Sequence, residues 1–267
     1  MIRDITLGQY YPADSILHKL DPRVKLVTTL VFIVALFVNN SWVGCVVSTV
    51  FLAAVIRLSK VPFKFMVRGL KTIIMILMIT VVFNLFLTPG DRVLVSFWKL
   101  QITDKGLRTA AFMAIRLIYL IVGSSVMTLT TTPNDLTDAM ERLLGPLKKL
   151  HVPVHEVSMM MSIALRFIPI LLEETDKIMK AQIARGADFE SGNLIQKAKS
   201  LVPLLVPLFI SAFRRANDLA MAMEARCYRG GSGRTKMKPL TYVRRDYIAY
   251  AVVAAYLAAT IAVRVVL

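Results

Sequence analysis

The sequence predicts an all-α integral membrane protein, and three observations carry that prediction. Hydrophobic residues make up 56% of the 267-residue chain, above the roughly 45–50% of soluble domains, with a mean hydropathy of +0.62. The stretch Leu26 to Ile56 contains no charge at all. The basic residues, 33 Lys and Arg against 17 Asp and Glu, are concentrated between the apolar runs. That separation fits a membrane protein with a basic cytoplasmic side. It argues against nucleic acid as the partner of the charge, because no nucleic-acid-binding motif accompanies it.

The elements follow in order. "LDPRVKL" offers Asp21 as N-cap and Pro22 at the first helical position. The uncharged run that follows is interrupted by "NNSW", Asn39 to Trp42, and reads as a hairpin of two short spans. Each arm falls short of the roughly 20 residues a span needs, so both borrow flanking residues or lie in thinned bilayer. Thr72–Gly90, Thr109–Thr131 and Tyr247–Val263 complete about five spans. The first 25 residues are too polar for a secretory signal peptide, so the first apolar segment is expected to be its own insertion signal.

The loop Arg57–Lys71 carries five basic residues and no acid. By the positive-inside rule it is cytoplasmic, which puts the amino terminus inside and the Asn39–Ser41 turn and Asp91–Lys105 loop outside. The expected division is an amino-terminal membrane region at 1–131, a cytoplasmic or interfacial coupling region at 132–246 and a carboxy-terminal span at 247–267.

Within the coupling region, "TTPND" supplies Thr132 as N-cap, Pro133 at N1 and Asp135 behind it. This helix stops at Gly145-Pro146. A second helix runs from Pro153 to Arg185, bent at Pro169, and a third from Ser200 to Arg226. Both begin apolar and end amphipathic, so their tips are expected to project towards the cytoplasm. Leu171, Leu172, Thr175, Ile178, Met179 and Ile183 share one face of the second. In the third, Phe209, Phe213, Ala216, Ala220, Met223 and Cys227 form a seam. The seams serve either to pack the helices on one another or to receive a partner. Met159, Met160 and Met161 add an adaptable surface or simple lipid-facing filling.

Both long helices close on the same words. "AQIARG" and "AMEARC" align as A-x-x-A-R-small, with Arg185 and Arg226 separated by 41 residues. A cation in the last helical turn is favoured by the helix dipole, which alone explains many such endings. Here Ala181, Ala184, Ala222 and Ala225 remove bulk around the arginines, giving narrow cationic tips suited to a groove in another protein. Two tips imply two receptors, or two halves of one dimer.

Four segments, "SILHKLDPRVKL", "TLTTTPNDLTDAMERLLGPLKKLHVPVHE", "MSIALRFIPILLEETDKIMKAQIARGADF" and "AMEARCYRGGSGRTKMKPL", resemble the transmembrane (T) component of prokaryotic energy-coupling factor transporters. The resemblance covers nearly the whole chain. It implies a cell-membrane subunit that joins two ATP-binding cassette ATPases, expected as a heterodimer, to a substrate-binding S component for uptake of vitamins and other trace nutrients. It places ATPase docking at Ala184, Arg185 and Gly186 and at Ala225, Arg226 and Cys227. The apolar faces of the two long helices are then expected to meet the S component, at Met159, Met160, Met161, Leu171, Ile178, Met179, Phe209, Phe213 and Met223. Cys227 stands where glycine is usual, which puts a glycine-dependent helix end in doubt and leaves Gly230 and Gly231 to take over the turn.

Neither a cofactor nor a metal is expected. His151 and His155 are four apart, but Pro153 interrupts a shared helical face. "YRGGSGRTK" lacks the phosphate-loop spacing and follows a helix rather than a strand, so it reads as a connector and the chain is not expected to hydrolyse ATP. Arg116, inside the fourth span, is a functional candidate or a snorkelling arginine. The competing classes are a self-sufficient secondary transporter or channel, which would need midplane polar sites beyond Asn84 and Arg116, and a membrane enzyme, for which no catalytic set is found.

Overall fold

The computed structural model describes residues 10–88, 93–97, 100–187, 189, 193–231, 237 and 239–266. The chain divides into two compact units: Gly8–Ala139 with Leu240–Leu267, and Met140–Pro239.

The first unit is a helical bundle. Helix α1 (Pro22–Val38) starts as its sequence dictates: the Asp21 carboxylate accepts from the Arg23 N–H at 2.8 Å, with Pro22 at the first position. Helix α2 (Trp42–Ser59) is opened by the Ser41 hydroxyl, which accepts from the Gly44 N–H at 3.2 Å. At 17 and 18 residues these arms reach only about 26 Å at 1.5 Å per residue. The hairpin does borrow flanking residues, Pro22 to Lys25 and Arg57 to Ser59.

Helix α3 (Phe63–Leu87) begins well before Thr72. The basic segment Arg57–Lys71, expected as a loop, is therefore mostly helical around a short break at Lys60–Pro62. Pro62 permits this because it precedes the helix as its cap, where no N–H is needed. The expected end of this span, Gly90, lies outside the described residues. Within the expected outer loop, β1 (Val93–Phe97) pairs antiparallel with β2 (Leu100–Thr103), with an irregularity between Val93 and Val95. Helix α4 (Asp104–Thr130) follows directly, capped by the Thr103 hydroxyl on the Gly106 N–H at 3.0 Å. Helix α5 (Pro133–Leu143) starts at the Thr132 cap, whose hydroxyl accepts from the Asp135 N–H and donates to its carboxylate.

Helix α9 (Arg244–Val266) returns to the bundle, where α1 and α2 each pack on both α4 and α9, and α3 packs on α4. The core consists of Phe32, Ala35 and Leu36 of α1, Leu52 of α2, Met66 of α3, Val122, Val126 and Leu129 of α4 and Tyr256 of α9, with Val61 beside them. Phe51 stacks on Tyr256 with ring centroids 4.3 Å apart, and the Tyr256 and Ser48 hydroxyls satisfy each other at 2.9 Å. Gly123 of α4 faces Phe32 so closely that an added Cβ would stand 2.5 Å from the ring.

One buried carboxylate joins the beginnings of α1 and α9. Asp246, 1% exposed, accepts the Val243 N–H at 2.8 Å on one oxygen and the Asp21 N–H at 2.9 Å on the other. The first bond caps α9 from its third position; the second reaches the α1 cap residue. Asp21 in turn holds Arg23 through two bonds, at 3.0 and 2.7 Å, and Arg23 lies 3.9 Å over the Tyr242 ring.

Four of the described helices, α2, α4, α9 and, in the second unit, Val154–Ala184, are long and apolar enough to cross a bilayer; α3 adds the shorter apolar stretch Ile73–Phe86. With α1 this makes the chain a multi-pass, all-helical membrane protein apart from the short hairpin.

In the second unit, a 3-10 turn (Gly145–Leu150) leads into α6 (Val154–Ala184), which continues unbroken through Pro169. A short α7 (Leu194–Ser200) precedes α8 (Val202–Ala225). Contacts between α6 and α8 run in opposite senses along the two helices. Gln182 donates to the Pro203 carbonyl at 3.4 Å, Glu174 pairs with Arg215 at 3.1 Å, and Ile163 and Arg166 share a cleft with Asp218 and Leu219. The pair is antiparallel. Its two tips therefore lie at opposite ends of the pair.

Candidate functional site

The site is built from the carboxy-terminal ends of α6 and α8, and the backbone treats them alike. After Ala184, Arg185 leaves helical geometry at φ −88° and Gly186 turns left-handed at φ +87°. The Gly186 N–H donates to the Ile183 carbonyl at 2.9 Å and the Ala187 N–H to the Gln182 carbonyl at 3.0 Å. After Ala225, Arg226 sits at φ −92° and Cys227 at φ +55°. The Cys227 N–H donates to the Glu224 carbonyl at 2.8 Å and the Tyr228 N–H to the Met223 carbonyl at 3.1 Å. Both are complete Schellman closures, satisfying carbonyls the helix end would leave bare.

Cys227 itself adopts the left-handed conformation, so Gly230 and Gly231 do not take over the turn. Gly230 is also left-handed, at φ +84°, but lies beyond the closure. The remainder of the expected connector, 232–236, lies outside the described residues. Ala184, Arg185, Gly186, Ala225, Arg226 and Cys227 are all exposed, as are Ala181 and Ala222. The tips are thus cationic, narrow and open. Ile183 and Met221 are exposed beside them at 55% and 60%, giving each arginine an apolar neighbour.

The ion pair at the crossing relates the two tips. Glu174 and Arg215 are separated by 41 residues, the same interval as Arg185 and Arg226. The paired side chains therefore occupy equivalent positions of the two helices. Each tip lies the same number of residues beyond its member of the pair, about 17 Å at 1.5 Å per residue. The pair thus has two arms of equal length from the ion pair to the tips, and a local two-fold character. Glu174 and Arg215 mark its centre.

The residues expected to contact a partner are distributed unevenly. Met160, Met161, Phe209 and Phe213 are exposed; Met159, Leu171, Ile178, Met179 and Met223 are half-buried. The α8 face turned to α6 follows Leu204, Leu208, Ser211, Arg215 and Leu219. The expected seam of Phe209, Phe213, Ala216 and Ala220 is on the outside. Helix α8 is apolar on several sides in its first half, so helical spacing alone does not select the packed face.

Other candidates have structural partners. Arg116 donates to the Asn39 carbonyl at 2.9 Å and lies 5.5 Å over the Phe37 ring, so it ties α4 to the end of α1. Asn84 donates to the Thr80 carbonyl at 2.8 Å. His155 bonds Glu141 at 2.9 Å, and Ser158 donates to the other carboxylate oxygen at 3.3 Å; a Cβ on Gly231 would meet the His155 ring. Among the described residues no three His, Cys, Asp or Glu side chains form a metal-ligand group. Sequence reasoning missed the Asp246 staple and Lys25, which is buried and donates to the Thr130 and His18 carbonyls at 2.8 and 3.2 Å. The Lys25 bonds and the Asp21–Asp246 bond have no local signal, because their partners lie on remote or irregular segments.

Comparison with known proteins agrees with this architecture. The family described as CbiQ, cobalt transport protein, matches residues 13–237. The chain is 60% identical over 250 residues to the energy-coupling factor transporter transmembrane protein EcfT of Clostridium kluyveri, covering 93% of each chain. It is 56% identical over 249 residues to the EcfT of Thermosediminibacter oceani, covering 93% and 94%. Against the EcfT of Bacillus subtilis the identity is 47% over 246 residues, covering 92% and 93%. The chain therefore belongs to the energy-coupling factor transporter transmembrane proteins, the T components.

Proposed function

We propose that this T component works as a mechanical coupler between two ATPase subunits and an S component, in the import of a vitamin or similar trace nutrient. Arg185 and Arg226, each flanked by Ala and a small left-handed residue, dock in grooves on the two ATPases. The outward apolar side chains, Met160, Met161, Phe209 and Phe213 foremost, meet the S component. The amino terminus and the coupling helices face the cytoplasm. ATP binding and hydrolysis belong to the partners, and the transported molecule to the S component.

The observation that carries this reading is the pair of matching closures at equal distances from the Glu174–Arg215 crossing. Two like receptors related by a two-fold axis, as in a dimer of homologous ATPases, require two like plugs similarly related. Arms rigidly helical from crossing to tip pass a rotation of the receptors to the crossing. A change driven in this way requires differential contacts in two states, which clamped tips on a closing dimer supply. The alternative of a self-sufficient transporter loses support because Asn84 and Arg116, its polar candidates, are engaged by backbone carbonyls.

The test is replacement of Arg185 and Arg226 by Ala, singly and together. Truncating one partner of a desolvated Arg–carboxylate contact costs about 2–5 kcal/mol. ATPase co-purification and uptake should fall partly in each single variant and severely in the double. Full complex formation and uptake by the double variant would remove the docking role.

A further inference from the structure

The helical bundle contains an open apolar cavity of about 330 Å³, at the lower end of the roughly 300–1,000 Å³ of small-molecule sites. Phe32 of α1, Phe51 of α2, Val126 of α4 and Val252 of α9 contribute to its walls, and Lys25 and Arg245 contribute its charges. Among the described residues no carboxylate lines it. The acids nearest this end of the bundle, Asp135, Asp21 and Asp246, balance part of the Lys25 charge from a distance, while each bonds a partner of its own: Asp21 with Arg23, Asp246 with two backbone N–H groups, and Asp135 with Thr132. The ammonium of Lys25 donates to neutral carbonyls, those of Thr130 and His18, which orient it without neutralising it. Arg245 is exposed.

The site therefore combines an apolar trough with a cationic end, where Lys25 is partly balanced by Asp135, Asp21 and Asp246 and Arg245 stands exposed at the rim. From Lys25 to Phe32 along α1 the trough is about 10 Å deep, the depth of part of one acyl chain. A neutral lipid would fill the trough and leave Arg245 at its rim without an anionic partner. An anionic one satisfies both parts at once, as basic pockets between membrane helices do. We propose that this groove holds one acyl chain of an anionic phospholipid whose phosphate lies against Arg245 and Lys25. Such a lipid would bind α1, α2, α4 and α9 together on one side of the bundle.

The experiment uses the full-length chain purified in detergent and exposed to equal amounts of phosphatidylglycerol and phosphatidylcholine with matched chains. Lipid retained after gel filtration is quantified by mass spectrometry. The wild-type chain should favour phosphatidylglycerol. Arg245→Gln, at an exposed position, should reduce that preference roughly fivefold, the effect of one basic side chain near an anionic headgroup, while Arg245→Lys keeps it. Val252→Trp, which fills the trough from an exposed side, should lower retention of both lipids. Equal retention by the wild-type chain, a preference that survives Arg245→Gln, or unchanged retention in Val252→Trp would each identify annular lipid only and overturn the proposal.

Discussion

The two units place their apolar side chains in opposite ways. In the bundle, α1, α2, α4 and α9 enclose aromatic and branched residues, with Phe32, Leu36, Val126 and Tyr256 all buried, and further apolar residues cover the outside. In the crossed-helix unit, Val154 and Leu204 are the buried apolar side chains among the described residues. Phe209 and Phe213 of α8 are 62% and 68% exposed. A helix pair of this length with so little interior has no core of its own to hold its shape. Lipid or another protein must cover the bare faces, whereas the bundle fixes its own geometry. On the proposed reading the bundle is the scaffold and the crossed helices the moving part, with rigidity where side chains interlock and responsiveness where few interior contacts oppose rearrangement.

That contrast breaks first if the bundle tolerates loss of its buried anchor. Asp246→Ala should lower stability more than any single change at a helix tip or an outer face. It leaves the Asp21 and Val243 N–H groups without their acceptor, at about 1–3 kcal/mol for each buried orphan. Thermal unfolding of the purified chain in detergent, followed by circular dichroism, should show a large fall in midpoint. Gly123→Val is next. Its side chain would enter the space of the Phe32 ring, and overpacking of this kind costs about 1–3 kcal/mol. An unchanged midpoint for Gly123→Val would mean that α1 and α4 are not closely interlocked.

A smaller effect separates the two tips themselves. Gly186 enters the left-handed region freely, while Cys227 does so with a side chain. A residue with Cβ pays roughly 1–2 kcal/mol there, so Cys227→Gly should firm the α8 closure by about 1 kcal/mol. Amide hydrogen exchange at Cys227 and Tyr228 measures this directly, because both N–H groups belong to the closure. Faster exchange in the variant would show that cysteine is preferred for a reason other than size.

What the sequence disclosed and what it hid divide along range. The Asp21-Pro22 and Thr132-Pro133 starts were legible because a cap and its N–H lie within three residues. The exposed Ala-Arg tips were legible for the same reason. The helical start at Phe63 was obscured by basic residues that read as a loop, although Pro62 is a natural boundary. The strands β1 and β2 sit in a stretch reading Val93-Leu94-Val95-Ser96-Phe97, a short β-prone apolar run with no clean alternation, which length and spacing alone do not separate from a connecting loop. The bond between Asp21 and Asp246 spans 225 positions, and no local pattern announces it. The antiparallel crossing was hidden similarly: Glu174 and Arg215 each look like ordinary members of a polar helix face until they meet.

The weakest effect on stability tests the comparison most directly. Phe213→Ser removes a large apolar side chain that the isolated chain leaves in the open. Surface substitutions away from packed features usually stay within about 0.5 kcal/mol, so the unfolding midpoint should barely change. Co-purification of the S component should nevertheless drop, because an aromatic anchor in a partner's pocket is the kind of residue whose truncation costs about 2 kcal/mol or more. The double outcome is the discriminating one. A lowered midpoint would mean that Phe213 packs within its own unit, making the crossed helices a self-supporting body like the bundle. An unchanged midpoint with intact assembly would assign that face to lipid. Only a stable chain with weakened assembly fits a moving part whose second half is supplied by its partner.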